Sequence, residues 1–167
     1  MSRFTATRIF SSAIGFAAML TAGTAAADYR VTAFGDTTAF SALISMDVKS
    51  AEARFATIEL TALDFKEANN LCVTEILVKD LPAAVAACET ALDKIKREPY
   101  LSATTAKFAK ASIYSNMAVA KAMGGDLTGA SKDLETALFF NSRDDNALNN
   151  FDLISQSAIA MDVAQSL

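Results

Sequence analysis

Two cysteines and the absence of histidine limit the chemistry that this sequence could perform. Cys72 and Cys88 are the only cysteines, and none of the 167 residues is a histidine. A catalytic thiol needs a neighbouring base to form the thiolate, and histidine is the usual one. The spacing of the two cysteines also excludes a C-x-x-C redox motif. Two interpretations remain: the cysteines form a disulfide, or they are buried thiols that pack as small hydrophobic residues.

The remaining polar groups do not form a recognisable catalytic or metal-binding pattern. The acidic residues Asp133, Glu135, Asp144 and Asp145 do not have the spacing of an EF-hand loop. The Gly124-Gly125 pair lacks the Lys-Ser/Thr that follows a phosphate-binding loop, and it is more typical of a helix end. We therefore predict that the protein is not an enzyme and binds no cofactor or metal ion.

Residues 1–27 have the three zones of a cleavable export signal. Arg3 and Arg8 precede a 12-residue uncharged, mostly apolar run at 9–20. That run is too short to cross a bilayer comfortably, and it is followed by the small residues Ala25-Ala26-Ala27. We predict cleavage between Ala27 and Asp28 and a periplasmic or secreted protein. A buried apolar helix and a retained membrane anchor are the alternatives.

The charge of the predicted mature chain narrows the class of partner. Loss of Arg3 and Arg8 leaves 13 basic residues against 19 acidic ones, a net charge of −6. Nucleic acids and anionic membranes attract positively charged surfaces, so neither is an expected partner. The mature chain has no further apolar run of membrane-spanning length, and we expect no stable membrane insertion after cleavage.

The mature sequence favours helices and contains an internal repeat. Apolar residues recur at intervals of three and four, and good helix formers dominate. The pattern of residues 70–92 returns at 116–138, an offset of 46. The matching pairs are Asn70 and Asn116, Val73 and Val119, Asp80 and Asp126, Ala84 and Ala130, Ala91 and Ala137, and Leu92 and Leu138. A further partial copy begins at Asn150.

This pattern resembles the tetratricopeptide repeat, a helix–turn–helix unit of about 34 residues. The resemblance covers about residues 47–157 and is best over 116–150, with the Gly125-Asp126 turn and small Ala118, Ala130 and Ala137. It implies an all-α fold, a short α-solenoid of antiparallel helix hairpins, with a generic helical bundle as the alternative. The predicted units are a signal peptide at 1–27, an extended arm at 28–35 and a helical domain at 36–165. Within that domain we predict a degenerate hairpin at 36–62, hairpins at 64–97 and 101–140, and a C-terminal helix at 145–162.

The repeat also predicts how the cysteines and asparagines are placed. In a tetratricopeptide-like hairpin Cys72 and Cys88 lie about equally far from the turn, on facing helices, where a disulfide can form. Asn70, Asn116 and Asn150 fall at equivalent points of three successive first helices. In the family, asparagines at this point often face the concave groove, where an amide can pair with a peptide backbone. The other candidate groove residues are Val73, Val119, Met123 and Leu153, with Asn69, Ser115 and Asn146 at neighbouring positions.

Two functions are compatible with this architecture. The first is a protein–protein interaction module that binds a peptide or protein partner in its concave groove. The second is a structural role, in which the module associates with itself or with an envelope complex through exposed apolar residues. The candidates for such a surface are Phe139, Phe140, Leu148, Phe151 and Ile154.

Overall fold

The computed structural model describes the backbone of residues 7–8, 17–24 and 27–165. It describes the burial of side chains for residues 28–159. The described chain is mostly helical, as the sequence predicts. Its elements are strands β1 (Thr7–Arg8), β2 (Ala17–Thr24) and β3 (Ala27–Phe34), and helices α1 (Phe40–Ile44), α2 (Val48–Phe55), α3 (Phe65–Val78), α4 (Leu81–Lys96), α5 (Ala103–Met123), α6 (Leu127–Phe140) and α7 (Asp145–Gln165). A short 3-10 helix, Leu60–Ala62, precedes α3.

Helix ends follow from capping residues in the sequence. The side chains of Asp64, Asp80, Ser102 and Asp126 accept hydrogen bonds from the first-turn amides of α3, α4, α5 and α6. Such caps satisfy amides that have no partner within the helix. The turns before α4 and α6 are equivalent, because Lys79 and Gly125 both have positive φ, 69° and 89°. The internal repeat of the sequence therefore reappears as a repeated turn geometry.

The helices pack in chain order around an alanine-rich core. α3 packs against α4, α4 against α5, α5 against α6 and α6 against α7. Small residues such as Ala84, Ala91, Ala118, Ala130 and Ala137 are completely buried. Because alanine has no side chain beyond Cβ, these positions allow helix backbones to approach closely.

A disulfide joins the first complete hairpin. Cys72 on α3 and Cys88 on α4 are covalently linked, with a Cα–Cα distance of 5.3 Å, and both residues are fully buried. In the chain-entropy account, a crosslink closing a loop of this length stabilises the fold by about 3 kcal/mol. Such a bond persists in oxidising compartments outside the cytosol.

The N-terminal part of the chain forms a sheet that the all-α prediction does not include. β1, β2 and β3 make a three-stranded antiparallel sheet in that order, and β2 pairs with β3 along its whole length, from Ala17 opposite Phe34 to Thr24 opposite Ala27. Residues 28–34 of the predicted extended arm (28–35) thus belong to strand β3, which has many aromatic and β-branched residues. Most of the predicted export signal (1–6, 9–16 and 25–26) lies outside the described residues. Among the described helices, none has the length and apolar character needed to cross a membrane.

Candidate functional site

Strand β3 lies across the surface formed by α3, α5 and α7. It contacts all three helices. α3 and α5 are the first helices of successive hairpins, and α7 is the C-terminal helix. The side chains of Tyr29, Val31 and Ala33 are buried, and Val31 and Ala33 have no exposed surface. The groove that the sequence predicts on these helices is therefore filled by the N-terminal segment of the same chain.

One asparagine from each of the three helices holds the backbone of β3. We call Asn70, Asn116 and Asn150 together the asparagine clamp; each is completely buried. The sequence repeat sets their positions, because it places one asparagine per first helix on the same side. Their side-chain amides bind every second residue of β3, which matches the two-residue period of a strand.

Asn116 makes the central pair of hydrogen bonds. The Thr32 backbone N–H donates to Asn116 Oδ1 at 2.8 Å, and Asn116 Nδ2 donates to the Thr32 carbonyl oxygen at 2.9 Å. Asn116 Nδ2 also donates to Asn69 Oδ1 at 2.9 Å, and Asn69 Nδ2 donates to the Thr32 carbonyl at 2.9 Å. Asn146 Nδ2 donates to the Thr32 hydroxyl at 2.8 Å. Thr32 is therefore held by its backbone and its side chain.

Asn70 and Asn150 repeat the same pairing on either side. The Phe34 N–H donates to Asn70 Oδ1 and Asn70 Nδ2 donates to the Phe34 carbonyl, both at 2.7 Å. The Arg30 N–H donates to Asn150 Oδ1 at 2.8 Å, and Asn150 Nδ2 donates to the Arg30 carbonyl at 2.7 Å. Each asparagine thus behaves like a peptide group of a neighbouring strand. A buried backbone group without such a partner would cost about 1–3 kcal/mol.

Further polar contacts fix the clamp and the turn that follows β3. Asn150 Nδ2 donates to the Ser115 hydroxyl at 3.1 Å, and Asn70 Nδ2 donates to the Thr37 hydroxyl at 2.6 Å. At the end of β3, Lys66 Nζ lies 3.6 Å from Asp36 Oδ2. The clamp side chains are locked on both the helix side and the strand side.

The clamp is electrically neutral. Its donors and acceptors are side-chain amides, hydroxyls and peptide groups, which do not titrate near neutral pH. Burial raises the pKa of the Tyr29 hydroxyl, and a hydrogen bond with Ser157 opposes that rise. Tyr29 therefore also stays neutral in ordinary buffers. The clamp itself carries no charge, and its donors and acceptors are of the kind that pair with peptide groups.

The other candidate groove residues contribute apolar packing. Val73 and Val119 are completely buried in the core, and Met123 and Leu153 are partly buried against it. None of these four offers an open groove wall, because the groove is filled. The occupant of the groove was not predicted: Arg30, Thr32 and Phe34 are the bound residues, and the only sign of them in the sequence is the β-prone composition of residues 28–35.

Comparison with other proteins adds no assignment. No protein-family model, curated protein or solved structure matches this chain. Within the described residues, no cluster of three or more histidine, cysteine, aspartate or glutamate residues could hold a metal ion.

Proposed function

We propose that this protein is an exported, tetratricopeptide-like protein–protein interaction module that recognises an extended peptide segment of a partner protein at its concave α3–α5–α7 face, where β3 already lies. The observation that carries the proposal is the asparagine clamp, in which Asn70, Asn116 and Asn150 each bind both backbone groups of one residue in an extended chain. The strand that lies there supports the proposal, because this face already binds the backbone of an extended segment.

Recognition of this kind relies mainly on the partner's backbone. Main-chain hydrogen bonds supply the affinity in strand-based recognition, and alternate side chains supply the selectivity. The clamp has neutral donors and acceptors, and the predicted mature chain carries a net charge of −6. The partner segment is therefore expected to be extended and uncharged or weakly basic, and nucleic acid is not an expected ligand.

The proposed location is the periplasm or the exterior of the cell. It rests on the signal-like pattern of residues 1–27, with cleavage between Ala27 and Asp28, and on the buried Cys72–Cys88 disulfide. Intact mass of protein from the exported fraction tests this part. A full-length mass with two alkylatable thiols would exclude it.

A peptide array tests the binding function. The array measures binding of the mature protein to uncharged, β-prone peptides of about ten residues. Each peptide has a matched control with proline at every second position, and such a control cannot pair as a strand. Binding peptides should shift the NMR signals of the clamp side-chain amides or of backbone amides in residues 29–34. The proposal fails if no peptide exceeds its proline control, or if these signals remain unchanged in every complex.

A second candidate function, self-association, is favoured by one exposed aromatic group. Phe139 is 84% exposed and packs edge-on against Phe140, which stacks on Tyr114. Such a surface could join copies of the chain or attach it to an envelope complex. Of the other residues predicted for that surface, Leu148 is 42% exposed, Phe151 is partly buried and Ile154 is buried, so Phe139 is the main candidate. Light scattering at high concentration, with Phe139→Ser as the control, tests this function.

A further inference from the structure

Strand β3 has two hydrogen-bonding edges, and they have different partners. Backbone groups of successive residues in a strand point to opposite edges. The groups of Arg30, Thr32 and Phe34 point to the asparagine clamp, and we call this side the inner edge. The groups of Tyr29, Val31 and Ala33 therefore point the other way, to the outer edge. In the full-length chain the outer edge is paired with β2, where Ala22, Leu20 and Ala18 lie opposite these three residues.

The segment that covers the outer edge is the one that export should remove. β2 spans Ala17–Thr24, which lies entirely within the predicted signal of residues 1–27. Cleavage between Ala27 and Asp28 would take β2 away and leave seven of the eight residues of β3 attached to the mature chain. Three N–H groups and three carbonyl groups would then lose their strand partner. Unpaired backbone groups along a strand edge readily pair with another extended chain.

We propose that the outer edge of β3 in the processed protein is a docking site for one extended, uncharged segment of a partner protein, which pairs antiparallel with Tyr29, Val31 and Ala33. This inference rests on the proposed function and specifies its binding mode. The partner adds a strand to β3, and it does not replace β3 on the asparagine clamp.

The clamp makes this edge a suitable template. A free strand would have to be ordered when a partner binds, at a cost of about 1–2 kcal/mol for each residue's backbone. Six hydrogen bonds from Asn70, Asn116 and Asn150 already hold β3 extended. Folding of the protein has therefore already offset the entropy cost of ordering β3. The binding energy comes from the hydrogen bonds that the partner makes with the outer edge.

The chemistry of the occupant follows from β2. The sequence of Ala17–Thr24, AAMLTAGT, is eight residues long, uncharged and rich in small side chains. It fits the edge in an antiparallel register without a bulge. A partner segment of similar length and character is expected to fit the same space. Uncleaved precursor should not bind such a partner, because its own residues occupy the site.

The test uses a fluorescent peptide with the sequence of Ala17–Thr24 and the mature protein purified from the exported fraction. Saturable binding by fluorescence anisotropy is expected. N-methyl groups on residues 18, 20 and 22, which face β3, should weaken binding at least tenfold. N-methyl groups on residues 19 and 21, which face away, form the matched control and should leave the affinity within threefold.

Full-length protein provides the second arm. The variant Ala25→Leu removes a small residue that signal cleavage needs, so β2 stays attached. This variant should not bind the peptide. Equal binding to both forms, equal effects of the two N-methyl patterns, or no binding to the mature protein would each overturn the inference.

Two other outcomes would overturn the binding mode but leave the proposed function standing. If the peptide binds and the amide signals of Arg30, Thr32 and Phe34 move to unfolded positions, the peptide displaces β3 from the clamp. If the mature protein dimerises and the Ala17–Thr24 peptide dissociates the dimer, the occupant of the edge is a second copy of the chain. Failure of the Ala17–Thr24 peptide alongside positive results on the peptide array would reject the strand-addition site alone.

Discussion

Asn116 and Thr32, which are 84 residues apart in sequence, exchange two hydrogen bonds of 2.8 and 2.9 Å between a side-chain amide and a backbone peptide. The pairing reproduces with a side chain what a neighbouring strand does with its backbone. It attaches β3 to the centre of α5, and the same arrangement recurs at Asn70 and Asn150.

Replacing Asn116 by alanine should destabilise the fold strongly. The Asn116→Ala change leaves the buried Thr32 N–H without its acceptor and removes a donor from both the Thr32 carbonyl and Asn69 Oδ1. We expect the free energy of unfolding to fall by about 2–4 kcal/mol. Urea denaturation followed by circular dichroism measures it. Gln156→Ala, which removes an exposed amide on α7, is the control and should change stability by less than about 0.5 kcal/mol. A loss equal to that control would show that Asn116 does not hold β3.

Reduction of the Cys72–Cys88 disulfide should lower stability while the helices stay folded. The lost crosslink corresponds to about 3 kcal/mol in the chain-entropy model. Thermal unfolding with and without reductant measures the effect. The Cys72→Ala/Cys88→Ala variant should resemble the reduced protein and should not respond to reductant. A reductant-sensitive double variant would assign the effect to something other than the disulfide.

The two equivalent turns should respond in opposite ways to exchange of their residues. Lys79 has a φ of 69°, a conformation that is unfavourable for a residue with Cβ. Lys79→Gly should therefore stabilise the protein by about 0.5–1 kcal/mol. Gly125 has a φ of 89°, and Gly125→Lys should destabilise it by about 1 kcal/mol for the same reason. Melting temperatures of the two variants, measured side by side, check the pair; shifts in the same direction would contradict it.

The Lys121–Asp133 ion pair predicts a pH dependence of stability. Burial raises the pKa of the Asp133 carboxyl, and Lys121, whose Nζ lies 2.6 Å from Asp133 Oδ2, opposes the rise. Since the folded pKa lies above the unfolded one, the folded state binds more protons. The contribution of Asp133 to stability is therefore fully present below the usual aspartate pKa, about 4, and is lost as pH rises through the higher pKa of the folded state.

Removing the cation should make this dependence steeper. In Lys121→Met the carboxyl of Asp133 loses its compensating charge, so its pKa rises further. We expect a loss of about 1–2 kcal/mol at pH 7 that becomes smaller at pH 5. Urea denaturation at the two pH values measures it, and Lys107→Met, at an exposed position on α5, is the control. Parallel pH profiles for the two variants would contradict the assignment.

The sequence predicts local structure better than long-range contacts in this chain. Asp80 and Asp126 cap helices because of residues three positions away, and the hairpin places Cys72 opposite Cys88 over a separation of 16. These features depend on neighbours along the chain. The contact between Arg30 and Asn150 spans 120 residues, and nothing in the types of these two residues specifies it.

The occupant of the groove could not be derived from the sequence for the same reason. The β-prone residues of 28–35 favour a strand but do not identify its partners, because asparagine side chains take the place of a neighbouring strand on its inner edge. The repetition of Asn70, Asn116 and Asn150 in the sequence predicts that their side-chain amides lie in a row on successive helices. Whether these amides bind another protein or a segment of this chain depends on the three-dimensional path of the N-terminal residues.

The direction of β3 has a consequence for how the protein folds. Stacked helical hairpins usually contact only their neighbours, so such arrays can unravel from one end, unit by unit. Here Arg30 binds α7, Thr32 binds α5 and Phe34 binds α3, so a single strand connects all three units at once. Separation of any one unit breaks contacts with the strand that the other two share. The protein should therefore unfold as one cooperative unit, and it should fold more slowly than a helical array of the same size because its N-terminus must find its last helix.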